Sequence, residues 1–359
     1  MTLPTLSSLT LLLTLLLTLL LTLSPTSATS DLVYATGYYR HSLTSHLVWY
    51  DSELLAVDVG AGSASVIASY PGLFSPLQPH SLAVDSLTGN TYALLTGTIP
   101  INHTRAASVV YTNVDVKIPL EVPAPPSIVS LVYHDDARSL YGLGLEPHPT
   151  GADAPHLVLY SSRSDRPHLG PILTTPLDLP PIPEKDLYPA SNMTMFTVLG
   201  PDGILQLGLQ ATRELYLYWA VNVSSPDPVS LATHVVREPE RDDDYIAEWI
   251  VYVAPLGNFV GYLQNTTSGK WVLATINVTS MELSGLLPPP FPYPLVPSAA
   301  FVKPNSADLY ILSQDVLFVY DASSHTLTST TPLDAGNLIF TAGVAPAPPQ
   351  RAGLPKAAT

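Results

Sequence analysis

The 359-residue chain contains no cysteine. Disulfide stapling, thiolate nucleophiles and thiolate-bound zinc are therefore excluded. Positive charge is scarce: 14 Lys and Arg stand against 29 Asp and Glu, a net charge of −15. That balance opposes binding to nucleic acid or to anionic lipid. Long helical periodicity is also missing, and 37 prolines scattered along the chain do not fit many long helices. The sequence has no G-x-S-x-G, no Walker loop, no G-x-G-x-x-G and no Ser–His–Asp set placed by spacing. Nothing in it assigns an enzymatic activity, and the balance of the motifs favours a binding protein over a catalyst.

The chain begins with an apolar run, LTLLLTLLLTLLLTL over 9–23, followed by small residues from Ser24 to Ser30. No charge precedes Asp31. This is the layout of a secretory signal peptide over 1–30, with cleavage expected after Ala28 or Ser30. An uncleaved membrane anchor is the alternative, since the run from Leu3 approaches the ~20 residues of a membrane span. No second apolar run of that length follows. At the other end, the Pro/Ala-rich stretch 348–359 reads as a disordered tail. Five N-x-S/T sequons, at Asn102, Asn192, Asn222, Asn265 and Asn277, together with the signal-like start predict a secreted glycoprotein.

Between the ends, 31–347 is built from short runs of Val, Leu, Tyr, Thr and Ile separated by Pro, Gly, Asp and Ser. One strand type recurs as LLAVDV (54–59), SVVYTN (108–113), HLVLYS (156–161), ELYLYW (214–219), KWVLAT (270–275) and LFVYDA (317–322). Anchors at Val57, Tyr111, Tyr160, Tyr218, Ala274 and Tyr320 are spaced by 54, 49, 58, 56 and 46 residues. A period of this size with four short strands per unit predicts a single all-β domain, a β-propeller. Each unit has a hairpin before the recurring strand and a fourth strand after it, the latter exemplified by SASVIASY (63–70) and PILTTPL (171–177). The residues left at the two ends make one further period, so NLIFTAGV (337–344) is expected to pair with N-terminal strands and close the ring. Six four-stranded blades result. If HLVWY (46–50) is a separate strand, the count becomes seven.

Three apolar-Tyr pairs, Thr91-Tyr92, Leu140-Tyr141 and Leu309-Tyr310, resemble the second-strand pattern of six-bladed propellers of the NHL, YWTD and gluconolactonase-like kinds. The likeness is one of architecture, and the chain is assigned to none of these families. It implies a calcium-dependent lactonase or esterase as the alternative to a binding module, since gluconolactonase-like propellers hold calcium on the axis. Asp244, at the end of the acidic run REPERDDDY, and Asn337 lie near the starts of inner strands and are the candidate ligands. No zinc-type spacing occurs among the ten histidines. His80 precedes one inner strand and His134 ends another, so the two are expected on opposite faces of the disc. The interblade connections are long and proline-rich, and all fall on one face. Their aromatics Tyr188, Phe291 and Tyr293 are the candidate binding residues for an unidentified protein or glycan partner.

Overall fold

The computed structural model describes residues 32–44, 47–74, 80–97, 107–113, 119–123, 128–135, 137–146, 156–163, 166–171, 177–178, 194–199, 204–210, 215–223, 229–237, 245–265, 267–277, 283–290, 299–303 and 305–346. The segment expected to be a signal peptide and the C-terminal tail lie outside these residues.

The described residues form an all-β propeller. Its strands in chain order are β1 (Leu32–Thr44), β2 (Leu47–Asp58), β3 (Ser63–Pro71), β4 (Leu73–Phe74), β5 (Leu82–Val84), β6 (Asn90–Gly97), β7 (Ala107–Asn113), β8 (Pro119–Pro123), β9 (Ile128–His134), β10 (Ser139–Glu146), β11 (His156–Arg163), β12 (Arg166–Pro171) and β13 (Leu177–Asp178). They continue as β14 (Thr194–Leu199), β15 (Ile204–Gln210), β16 (Leu215–Asn222), β17 (Val229–Arg237), β18 (Tyr245–Val253), β19 (Asn258–Asn265), β20 (Trp271–Ile276), β21 (Leu283–Leu287), β22 (Ala299–Val302), β23 (Asp308–Ser313), β24 (Val316–Asp321), β25 (Thr326–Pro332) and β26 (Ile339–Val344). Among the described residues a short 3-10 turn, Ala254–Leu256, joins β18 to β19.

The strands group into antiparallel sheets ordered β26-β1-β2-β3, β9-β10-β11-β12, β14-β15-β16-β17, β18-β19-β20-β21 and β22-β23-β24-β25. A further sheet runs β4-β6-β7-β8, with β5 also on β6. The innermost strands touch in the cyclic order β26, β5, β9, β14, β18, β22 and back to β26. The ring is closed as the residue arithmetic anticipated: β26 pairs with β1, from Tyr34 opposite Val344 to Tyr38 opposite Ile339. This pairing covers the inner edge of β1 and completes the sheet built from the two ends of the chain.

Two strands begin earlier than the sequence reading placed them. Leu47–Tyr50 is the first part of β2, which pairs with β1 from Thr44–Leu47 to Leu32–Asp58 with a register shift between Ser42 and Thr44. In the third repeat the fourth strand starts earlier than the run 171–177, pairing Arg163 with Arg166 and Tyr160 with Pro171, and Leu177–Asp178 also pairs with β11.

Strands buried on both faces account for the near-continuous apolar runs. Along β6, Ala93 and Leu95 pack into the layer shared with Leu54 and Ile67, while Tyr92 and Leu94 pack into the layer shared with Leu131 and Tyr160. Along β23, Leu309 and Ile311 join Trp249 and Tyr262, whereas Tyr310 and Leu312 join Val33 and Phe340. These two sheets are thus clamped between their neighbours. Stacked rings reinforce these layers, with centroids 4.5 Å apart for Tyr262–Trp271 and 5.5 Å for both Trp249–Tyr262 and Phe301–Tyr310.

Candidate functional site at the ring axis

The antiparallel order decides which ends share a face. An inner strand starts on the face that carries the interblade connections, and the turn between the second and third strands returns to that face. The other two hairpin turns of each sheet lie on the opposite face. His80 stands two residues before β5, on the interblade face, and His134 closes β9 on the other.

His80 has a feature that its sequence position alone does not reveal. Its carbonyl accepts from Leu131 N at 2.7 Å, which ties its backbone to the neighbouring β9. Its imidazole Nε2 lies 3.0 Å from the carbonyl oxygen of Ile250, 170 residues away on β18. In the cycle of inner strands, β5 and β18 are three steps apart in either direction. The His80 ring therefore crosses the axis from one sheet to the one opposite. A carbonyl only accepts, so Nε2 carries the proton. Protein encloses the ring, though part of the residue still meets solvent. This is the position of a side chain set in the mouth of the axis. Desolvation pulls its pKa below the ordinary 6.5, and the Ile250 carbonyl opposes this only in part.

The inner strands around this ring carry small residues: Ala83, Ala299, Ala300 and Ala342 are buried, and Gly343 sits against the Phe301 ring. Small residues let the sheets approach the axis closely. Buried hydroxyls add to them, with Thr36 Oγ1 and Thr341 Oγ1 paired at 3.2 Å.

Among the described residues no three His, Asp or Glu side chains gather as metal ligands. Asn337 lies exposed in the turn that leads into β26. Asp244, Tyr188, Phe291 and Tyr293 lie outside the described residues, as do Asn102 and Asn192. Of the other sequons, Asn277 is exposed at the end of β20 and Asn222 is half-buried at the end of β16. Asn265, by contrast, is 5 % exposed and its side chain is engaged.

That engagement belongs to a turn that the sequence repeats. Asp58, Asn265 and Asp321 each end a strand and Asp85 directly follows one, and the fifth residue of each turn, Gly62, Gly89, Gly269 or His325, has φ between +57° and +69°. The leading side chain caps the turn. Asp58 Oδ1 accepts from Ala61 N at 2.9 Å, and Asn265 Oδ1 from Ser268 N at 2.6 Å and Ser268 Oγ at 2.8 Å. Asp321 Oδ1 accepts from Ser323 N and Ser323 Oγ, and Oδ2 from Ser324 Oγ. These donors, led by the Ser323 hydroxyl, hold its carboxyl down to about 2. Asp85 reaches furthest: besides Leu87 N and Thr88 Oγ1 it accepts from Tyr133 OH at 3.1 Å on the adjacent sheet. Several of the acidic residues are therefore turn caps, with lone pairs already engaged. The signal for them, Asp or Asn four residues before Gly or His, is visible in the sequence once the strands are placed.

His134 is similarly committed on the far face. Its Nδ1 accepts from Ala137 N at 3.1 Å, and its ring packs edge-on against Tyr141 at 6.5 Å.

No family model matches the sequence, and no curated protein matches it. Solved structures do resemble it. TolB from Acinetobacter baumannii superimposes with a TM-score of 0.50 at 9 % identity, over 86 % of this chain and 66 % of that one. A structure of the nidogen/laminin complex gives 0.48 at 10 % identity over 86 % and 97 %. An oligogalacturonate lyase from Vibrio parahaemolyticus gives 0.43 at 10 % identity over 84 % and 75 %. The first two are propeller proteins. Likeness at such identity is one of fold.

Proposed function

We propose that this chain is an exported, N-glycosylated binding module, a ring of six blades that engages a protein or glycan partner through the face where its inner strands begin. The cyclic order of the inner strands and the absorption of Leu47–Tyr50 into β2 support six blades over seven. The observation that carries the binding reading is the His80–Ile250 bond across the axis. A side chain lying there takes the space that an axial substrate or calcium ion needs, which leaves recognition to the surrounding connections. Long connections on a rigid scaffold are a common seat of recognition. Tyr188, Phe291 and Tyr293 supply them with the aromatic anchors typical of hot spots.

The test is binding of the purified secreted protein to arrays of extracellular proteins and glycans, beside a Tyr188→Ala/Phe291→Ala/Tyr293→Ala triple variant. The variant is expected to lose affinity at least ~10-fold, as removal of hot-spot aromatics does, at unchanged Tm. Equal binding by both proteins would remove this face from consideration. A lactone and ester screen with calcium and with excess chelator runs in parallel. Calcium-dependent turnover there would replace the binding reading with an axial hydrolase using Asp244 and Asn337.

A further inference from the structure

We propose that His80 is an axial latch: its neutral imidazole ties two opposite sheets of the ring together, and taking up a proton releases it. The reading depends on the cross-axis geometry and is independent of which face binds a partner.

The geometry sets what each protonation state can do. Neutral, with the proton on Nε2, the ring donates to the Ile250 carbonyl at 3.0 Å and leaves Nδ1 a bare acceptor. Protonated, it gains a second donor and a full charge in a place where burial already disfavours charge. Among the described residues, one neutral carbonyl accepts from the ring there. The six inner strands offer little to compensate: β5, β14, β22 and β26 carry no ionisable side chain, β9 carries Tyr133 and His134, and β18 carries Tyr245, Glu248 and Tyr252. Of these, Tyr133 is bonded to Asp85 and His134 is turned to the opposite face. Glu248 is half-buried on β18. The charged ring therefore gains by swinging to the solvent that part of the residue already meets.

The direction follows from the lowered pKa. The open or unfolded state binds the proton more tightly than the latched state. The latch is intact above the ordinary value of 6.5 and is lost as the pH falls below it toward the depressed native value. Histidine charges in the range over which aqueous compartments differ in pH, and the same range serves known pH sensors.

The experiment is an imidazole 15N titration of the full mature chain between pH 8 and 4.5, with His80 assigned by its absence in a His80→Gln variant. Thermal unfolding of both proteins is followed over the same range. The His80 ring is expected to keep a neutral, Nε2-protonated signature below pH 6.5. The wild-type Tm is expected to fall about 1–2 °C further than that of His80→Gln between pH 7.5 and 5.5, equivalent to roughly 1 kcal/mol for a domain of this size. Titration of His80 at or above the ordinary value, or parallel Tm profiles, overturns the proposal. If His80→Gln does not fold, through-bond assignment of the wild-type ring gives the titration by itself, and an ordinary value remains the overturning result.

Discussion

Asp85 is 4 % exposed and accepts from two turn amides, Thr88 Oγ1 and Tyr133 OH, which joins two sheets at one carboxylate. Asp85→Ala leaves those donors without a partner, so urea denaturation is expected to show a loss of about 1–3 kcal/mol. Asp85→Asn, which keeps one acceptor oxygen, is expected to lose less. Tyr70 is buried, with its hydroxyl 2.8 Å from Thr112 Oγ1 on the next sheet, and desolvation pushes its pKa up to about 12. Its ionised form is favoured in the unfolded chain from pH 10 upward. Stability is therefore present below pH 10 and falls as the pH rises toward 12, a slope that Tyr70→Phe should flatten when Tm is followed at alkaline pH. The sequons divide on the same grounds of burial. We expect glycopeptide mass spectrometry to find a glycan on exposed Asn277 and none on Asn265, whose enclosed side chain caps its turn. All of these residue types could be read from the chain. Which asparagine is consumed by a turn depends on where strands end, and that is set by pairing partners far away in sequence.

At the scale of elements, strand composition and repeat spacing proved more informative than alternation. Strands such as β6 and β23 read as unbroken apolar runs, and both of their faces are buried between sheets. Two-sided burial removes the polar alternation that would mark an exposed face, so the sequence shows the strand but not which neighbour each side chain meets. Gly343 on β26 illustrates the consequence. A Cβ there would run into the Phe301 ring of the neighbouring inner strand. Gly343→Val is expected to cost about 1–3 kcal/mol by overpacking, read as a lower midpoint in denaturant titration. Length was the less legible property. β1 and β2 run past the pairing of β26, and the third repeat begins its outer strand at Arg166, because ladder length depends on the partner as well as on the strand itself.

For the whole molecule, closure is the property on which stability hangs. β26 is contributed from the far end of the chain, with Thr36 and Thr341 bonded across a separation of 305 residues. Deleting 337–359 exposes the inner edge of β1 and uncovers Phe301, Val33 and the layer around them. We expect that deletion to abolish a single cooperative unfolding transition, while deleting only 348–359 leaves Tm unchanged; differential scanning calorimetry separates the two. The sequence by itself determined the all-β class, the repeat of about 53 residues, the chain ends that complete one another and the cysteine-free, acidic surface, because periodicity and composition are properties of local chain segments. It did not contain the pairing of His80 with Ile250, the buried state of Asn265 or the collision waiting at Gly343. Those arise only when the ring brings opposite and neighbouring sheets together, and contact between residues far apart in the chain is a property of the closed ring.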